Sequence, residues 1–325
     1  MNRRNILTAL GASAAAWPLR AFGQAPGGIP RVGMLGPGPA QGGPFVPPMI
    51  RALAKHGLIG GKTVEIVSRG AEGDLDRLPA LVDELVASRV QVIIAFGYRP
   101  VIAAQQGSKL PVVEFSAGDP IATGLTKSLA RPGGNVTGIS DVSAEVTPKR
   151  LELLKDFAPK LHRVAMLYNA DDIAMTLRYK AAETGATALG IEVQPLGVRE
   201  PSDFNEAFAA MTRDPPDGLF MVADPLTNLN RKAVFAFAAA HRLPAIYEYD
   251  FIARDGGLMS YGPDLDESFD RMAVLVDRIL RGARPSDLPF EEPTRFLFVL
   301  NLKTAKAAGL EVPSAVLAAA DDVIE

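Results

Sequence analysis

The chain has 325 residues, 48% of them hydrophobic, 22% charged and 7% aromatic, with a formal net charge of −3. This balance excludes disordered and fibrous classes and leaves enough chain for about two domains with sizeable cores. With no cysteine and only three histidines, disulfides, thiolate metal centres and cysteine nucleophiles are excluded, a histidine-rich metal site is disfavoured, and no basic stripe marks a nucleic-acid partner.

Residues 1–25 read as an export signal rather than as part of the fold. Arg3-Arg4 is followed by an apolar stretch over 6–18, then Arg20, then the small-residue segment Ala21-Phe22-Gly23-Gln24-Ala25. Cleavage is expected near 23–25. The string Arg3-Arg4-Asn5-Ile6-Leu7 resembles a twin-arginine signal, with a general secretory signal as the alternative. Removing Arg3, Arg4 and Arg20 from the 34 basic residues leaves 31 against 37 acidic ones. The expected destination is the periplasm. No later segment approaches the ~18 uninterrupted apolar residues of a membrane span.

From residue 31 onward, short apolar runs alternate with longer helical patterns. Strands are predicted over 31–36, 63–69, 90–96, 112–115, 135–137, 163–168, 191–198, 218–222, 245–247, 257–260 and 296–300. They are apolar on both faces, as buried parallel strands are. Helices are predicted over 75–86, with Asp74 as N-cap, and over about 145–157, 173–189, 202–211, 226–241, 264–280 and 303–308. This alternation predicts an α/β architecture of open, mainly parallel sheets flanked by helices. Turn chemistry at Arg131-Pro132-Gly133-Gly134-Asn135 and a connector over 138–148 favour two sheets over one very large one.

In open parallel sheets, ligands bind beyond the carboxyl ends of the strands. The candidates there are Gly36, Pro37, Gly97, Tyr98, Ser116, Ala117, Asp119, Asn169, Asp224, Tyr247 and Glu248. Glycines admit close backbone approach, helix N-termini favour a carboxylate, and acids hold an ammonium or sugar hydroxyls. The set suits an amino acid or another small polar metabolite. Asp119 and Asp224 serve equally well as helix N-caps, and one residue can do both. The glycine- and proline-rich loop 36–43 lacks the lysine ending of a phosphate loop and the spacing of a dinucleotide fingerprint.

Catalytic signals are missing. His56, His162 and His241 lie near helix ends or strand starts and form no metal-ligand pair. Gly138-Ile139-Ser140-Asp141-Val142 lacks the second glycine of a nucleophile elbow. Two strand-end acids leave glycoside chemistry open by spacing alone. No catalytic residue, metal or cofactor is expected.

Several segments carry a family likeness. Leu110-Pro111-Val112-Val113 leads to Gly118-Asp119-Pro120-Ile121-Ala122-Thr123-Gly124-Leu125 and then Ser128-Leu129-Ala130-Arg131-Pro132-Gly133-Gly134-Asn135-Val136-Thr137-Gly138. Lys149-Arg150-Leu151-Glu152-Leu153-Leu154-Lys155, Gly256-Gly257-Leu258-Met259-Ser260-Tyr261-Gly262-Pro263-Asp264 and Asn301-Leu302-Lys303-Thr304-Ala305-Lys306 complete it. Across essentially the whole mature chain, these segments resemble the ABC-transporter substrate-binding proteins that include tryptophan- and tyrosine-type binders.

The resemblance implies a two-lobed, type I periplasmic-binding-protein fold with ligand trapped between the lobes. It assigns 28–140 plus 257–290 to the first lobe and 141–256 plus 291–325 to the second. Hinges are implied near 138–141, 255–260 and 289–296, with Gly138, Ser140, Asp141, Gly257 and Ser260 as hinge residues. It further implies a monomer, a small-molecule solute and an ABC permease as partners. Two features depart from the family pattern: Asn169-Ala170 stands where the family has Asn-Pro, and the first loop is unusually rich in glycine and proline. The expected function is solute binding for an ABC importer, with a periplasmic sensor module or a periplasmic enzyme as alternatives.

Overall fold

Strand and helix alternate through residues 28–325, the part of the chain that this computed structural model describes. The export-signal reading falls on residues 1–25 and lies outside the described residues. The first lobe is built from β1 (Arg31–Gly36), α1 (Val46–Lys55), β2 (Glu65–Gly70), α2 (Leu78–Ala87), β3 (Val92–Phe96), α3 (Tyr98–Gly107), β4 (Val112–Phe115) and β5 (Val136–Ile139). Its five strands are all parallel, in the order β2-β1-β3-β4-β5. Alternate residues of β3 serve opposite layers. Val92, Ile94 and Phe96 pack with Met49 and Leu53 of α1, whereas Ile93 and Ala95 pack with Leu81 and Leu85 of α2. A strand coated on both faces needs apolar residues at every position, which explains its uninterrupted sequence. Each such residue contributes about 1.5–3 kcal/mol of burial. The helices α1 and α3 start in the Pro-rich segment after the first loop and directly at Gly97, and no predicted helix covers either.

The second lobe takes α4 (Thr147–Phe157), β6 (Arg163–Asn169), α5 (Ile173–Leu189), β7 (Glu192–Val198), α6 (Asp203–Arg213), β8 (Gly218–Met221), α7 (Pro225–Ala240), β9 (Ala245–Tyr247), α8 (Asp250–Arg254) and β10 (Met259–Pro263). The chain then returns to the first lobe as α9 (Leu265–Leu280). It ends in the second lobe with β11 (Phe296–Asn301), α10 (Leu302–Ala308), α11 (Ser314–Ala319) and β12 (Asp322–Ile324). The seven strands run β12-β11-β10-β9-β8-β6-β7, parallel except for the β10–β11 pair. Among the described residues, no helix is long and apolar enough to cross a membrane.

One boundary differs from the sequence reading. Residues 257–263 do not belong with the first lobe. Met259 and Ser260 pair with Ile246 and Tyr247, and all five residues of β10 pair with β11. The strand runs on to Pro263, past the predicted end at 260, so the crossing comes later. Asp264 caps α9 through the N–H groups of Asp266 and Glu267. Leu265, Phe269, Met272, Ala273, Val276 and Ile279 then form its buried stripe, which lies on α1 and beneath β3, β4 and β5. The chain therefore crosses between lobes at 140–146, at Asp264 and at 291–295. Ser140 and Asp141 sit on the first crossing, and Gly138 is the penultimate residue of β5. Gly257 and Ser260, expected at a hinge, lie within the second lobe, where Ser260 is fully buried.

Candidate functional site

The two lobes meet around a cavity of about 480 Å³, within the ~300–1,000 Å³ range of small-molecule sites. The first lobe supplies the loop from Gly36 to Val46, then Phe96, Gly97, Tyr98, Arg99 and Ser116. The second supplies Asp172, Met175, Ala223, Asp224, Asn228, Arg231, Tyr249 and Phe251 among others. Phe45 organises the apolar wall. Its ring centroid lies 5.7 Å from those of Phe96, Phe115, Tyr249 and Phe251. The glycine- and proline-rich loop thus delivers an aromatic ring into the cleft and starts α1 behind it.

Polar groups enter the cavity from three helix N-termini. On the first lobe, Gly97 has φ +87° and opens α3, leaving the first N–H groups of that helix unpaired within it. On the second lobe, Asp172 caps α5 through the Ala174 N–H at 2.9 Å. Asp224 caps α7 in a capping box with Thr227, its Oδ1 accepting from the Thr227 N–H at 2.8 Å. These acids are 3% and 4% exposed. Burial pushes the Asp224 carboxyl up to about 6, against the hydrogen bonds from Thr227 and Asn169 that favour its charged form. Burial raises Asp172 as well. The second-lobe wall therefore calls for a positively charged group.

The raised Asp224 value predicts a measurable pH signature in the ligand-free protein. A carboxyl whose folded pKa exceeds its unfolded one stabilises the fold fully below about pH 4, and that contribution is lost as pH rises through about 6. Asp224→Asn keeps the cap and mimics the neutral acid. Wild type and variant should melt alike at pH 4–5, with the wild type falling behind above pH 6. Parallel melting curves across that window would refute the assignment. The comparison with the variant matters because Asp255 and Glu267, held low by their partners, push the overall profile the other way.

Behind the cavity lies a buried ionic network. Arg178 of α5 donates to Asp141 Oδ2 at 2.6 Å and to Glu248 Oε2 at 2.7 Å. Arg150 of α4 donates to Glu248 Oε1 at 3.1 Å and to the Tyr261 carbonyl at 2.7 Å. Ser143 Oγ and the Ala223 N–H also donate to Glu248. Tyr249 OH donates to Asp141 Oδ2 at 2.8 Å, and Ser116 lies 2.7 Å from that hydroxyl. The chain of contacts thus runs from the first lobe at Ser116, through Tyr249, to the crossing residue Asp141 and the second-lobe arginines. Glu114, also fully buried, is held well above the usual carboxylate range by burial and by Asp141.

Of the eleven candidate ligand residues, Gly36, Pro37, Gly97, Tyr98, Ser116 and Asp224 line the cavity. The other five do not. Ala117 packs into the first-lobe core. Asp119 Oδ1 accepts from the Ile121 and Ala122 N–H groups and caps its own turn. Asn169 donates to Asp224 Oδ2 at 2.6 Å from behind. Tyr247 turns to the opposite layer against Phe235, and Glu248 is spent on the arginines. Sequence reasoning missed Asp172, Asn228, Phe45, Tyr249 and Phe251. Asp172 and Asn228 are legible only as the residue before one predicted helix and a first-turn residue of another.

Comparisons with known proteins place the fold among known relatives. The model of a family described as ABC transporter substrate binding protein matches residues 45–324. A curated relative from Clostridioides difficile, named tyrosine-binding protein, is 26% identical over 267 residues, covering 82% of this chain and 76% of its own. An ABC domain from Streptococcus pneumoniae solved in complex with L-Trp superposes with a TM-score of 0.83 at 24% identity, covering 91% of this chain and 100% of its own. The ligand-free, open structure of a substrate-binding protein from Clostridium difficile, also 24% identical, covers 91% of this chain and 99% of its own, with a TM-score of 0.64.

Proposed function

The chain belongs to the ABC transporter substrate-binding protein family, and from that premise we propose that it is the periplasmic receptor of an importer that closes its two lobes around an α-amino acid. Membership makes it a binding protein rather than an enzyme, with a small-molecule cargo and a permease as its partners. The observation that carries the ligand class is the polarity of the cavity. Asp172 and Asp224 on the second lobe receive the ammonium. The N–H groups at the start of α3, with Arg99 beside them, receive the carboxylate. The rings of Phe45, Phe96 and Phe251 receive the side chain. A zwitterion bridges the lobes because its two charges find partners on opposite walls, so binding energy is greater in the closed state and shifts the population toward it. The relatives named for tyrosine and solved with L-Trp belong to the same chemical class. Export through the signal read in residues 1–25 accords with this role.

The test is a thermal-shift screen of the mature protein, residues 26–325, against L-amino acids, sugars, purines and small carboxylates. A ligand at 100 times its Kd adds about 2.7 kcal/mol, several degrees for lobes of this size. The response is expected from L-amino acids. Asp172→Asn and Asp224→Asn retain capping chemistry but lose the charge, and each should weaken binding about tenfold to hundredfold. Asp119→Asn should not. A response confined to sugars or purines overturns the amino-acid reading.

A further inference from the structure

The first crossing between the lobes carries backbone strain. Val142 has φ +42°, in the left-handed region, and is the only β-branched residue there among the described residues. A β-branched residue in that conformation is a genuine outlier, and it persists only where the surroundings over-determine it. The ties around Val142 do so. Before it, the Ser140 N–H donates to the Glu291 carbonyl at 2.9 Å, where the third crossing leaves the first lobe. After it, Ser143 Oγ donates to Glu248 Oε1 at 2.6 Å, and the Ser143 carbonyl accepts from Arg150 at 2.8 Å, both in the second lobe. Asp141, its immediate neighbour, accepts from the Tyr249 hydroxyl, which also meets Ser116 of the first lobe. Ser116 is itself at φ +66°. One hydrogen-bonded chain thus joins two left-handed residues, and its Ser116–Tyr249 link spans the cleft.

We propose that Val142 is a spring in the first crossing: its left-handed backbone is imposed when the lobes meet and relaxes when they part, so that a residue outside the cavity sets the affinity and hastens release of the solute. Strain confined to the closed state raises the free energy of that state and is subtracted from binding, whatever the solute. The contact between Ser116 and Tyr249 acts in the other direction. It holds the lobes together, and Asp141 passes the pull to the crossing. A Val142 that stayed left-handed with the lobes apart would lower the stability of the fold and leave binding untouched. The inference does not depend on the amino-acid reading, since Val142 is not among the residues that line the cavity.

Val142→Gly and Val142→Asn accept a left-handed backbone, whereas Val142→Ala trims the branch and keeps the strain. Isothermal titration of the mature protein with L-tyrosine and L-tryptophan should give affinities about fivefold to thirtyfold tighter in the first two variants, the equivalent of one relaxed left-handed residue, with Val142→Ala near the wild type. A second readout needs no ligand. The chain has no cysteine. Ile121 and Ile173, 50% and 45% exposed, stand on opposite lobes beside the approach of Gly118 to Ala174. In an Ile121→Cys, Ile173→Cys background, the rate of capture by a short bismaleimide reports how often the ligand-free lobes meet. That rate should rise by the same factor in Val142→Gly and Val142→Asn, and not in Val142→Ala. An unchanged rate in both, or an equal rise in Val142→Ala, overturns the spring. Failure of both amino acids to bind counts against the amino-acid reading alone, and the capture rates still decide this inference.

Discussion

Arg178→Met is expected to cost about 3–5 kcal/mol of stability, the range for removing one partner from a buried ion pair. Arg178 is 1% exposed and bridges two carboxylates that have no access to water. Without it, Asp141 keeps only the Tyr249 hydroxyl and the Ser143 N–H, and Arg150 alone faces Glu248. Asp141 would then be a buried carboxylate without a cationic partner, in an interior where burial already holds Glu114 well above the usual carboxylate range. Against a total stability of about 5–15 kcal/mol, the loss is a large fraction. Urea denaturation of the ligand-free protein measures it directly. Arg178→Lys should recover only part, because an ammonium cannot fork to two carboxylates in a plane as a guanidinium does. A loss below about 1 kcal/mol for Arg178→Met would show that the network relaxes or takes up water, and would refute this expectation.

That network also marks the limit of what the sequence discloses. Strand and helix alternation is a local property, and the apolar runs of β1, β3, β4, β6 and β8 announce a parallel sheet without reference to anything distant. Arg150 and Arg178, by contrast, sit in helical patterns where an arginine ordinarily faces solvent. Their burial depends on Asp141 and Glu248, which lie 37 to 98 residues away along the chain. No periodicity records such a pairing. The cleft shows the same division. The rule that ligands sit beyond strand ends locates Gly97, Ser116 and Asp224 because it follows from topology alone. It fails at Tyr247, the buried last residue of β9, and at Glu248, where the chain beyond that short strand turns into the core. It also stops short of Asn228, one helical turn further in. The antiparallel pairing of β10 with β11 was equally illegible, since a buried strand reads alike in either direction, and the second crossing was misplaced with it.

Gly118→Ala is expected to weaken ligand binding about tenfold to hundredfold while leaving a folded protein. Gly118 follows β4 in the first lobe, and a Cβ placed on it would stand 2.8 Å from the Cβ of Ala174, near the start of α5 in the second. Other close approaches across the cleft are Gly73 to Leu229, at 3.2 Å from an equivalent Cβ, and Ser116 to Tyr249 at 2.7 Å. Gly118 also has φ +80°, so alanine there carries about 1–2 kcal/mol of backbone strain. The two costs separate cleanly. Backbone strain is present with the lobes apart or together and lowers melting temperature without touching affinity. The overlap with Ala174 exists only when the lobes meet. At about 1–3 kcal/mol for overpacking, it is subtracted from the closed state alone and therefore from binding. Adding Ala174→Gly removes the opposing methyl, leaving contacts of 3.3 Å to Thr123 and 3.5 Å to the Ala174 backbone. The double variant should regain most of the lost affinity despite the ~1 kcal/mol that glycine costs a helix. Small-angle scattering should show ligand-induced compaction in the wild type and the double variant but not in Gly118→Ala at the same ligand concentration. Wild-type affinity in Gly118→Ala, or a loss that Ala174→Gly fails to relieve, would mean that these two residues do not meet in the ligand-bound state.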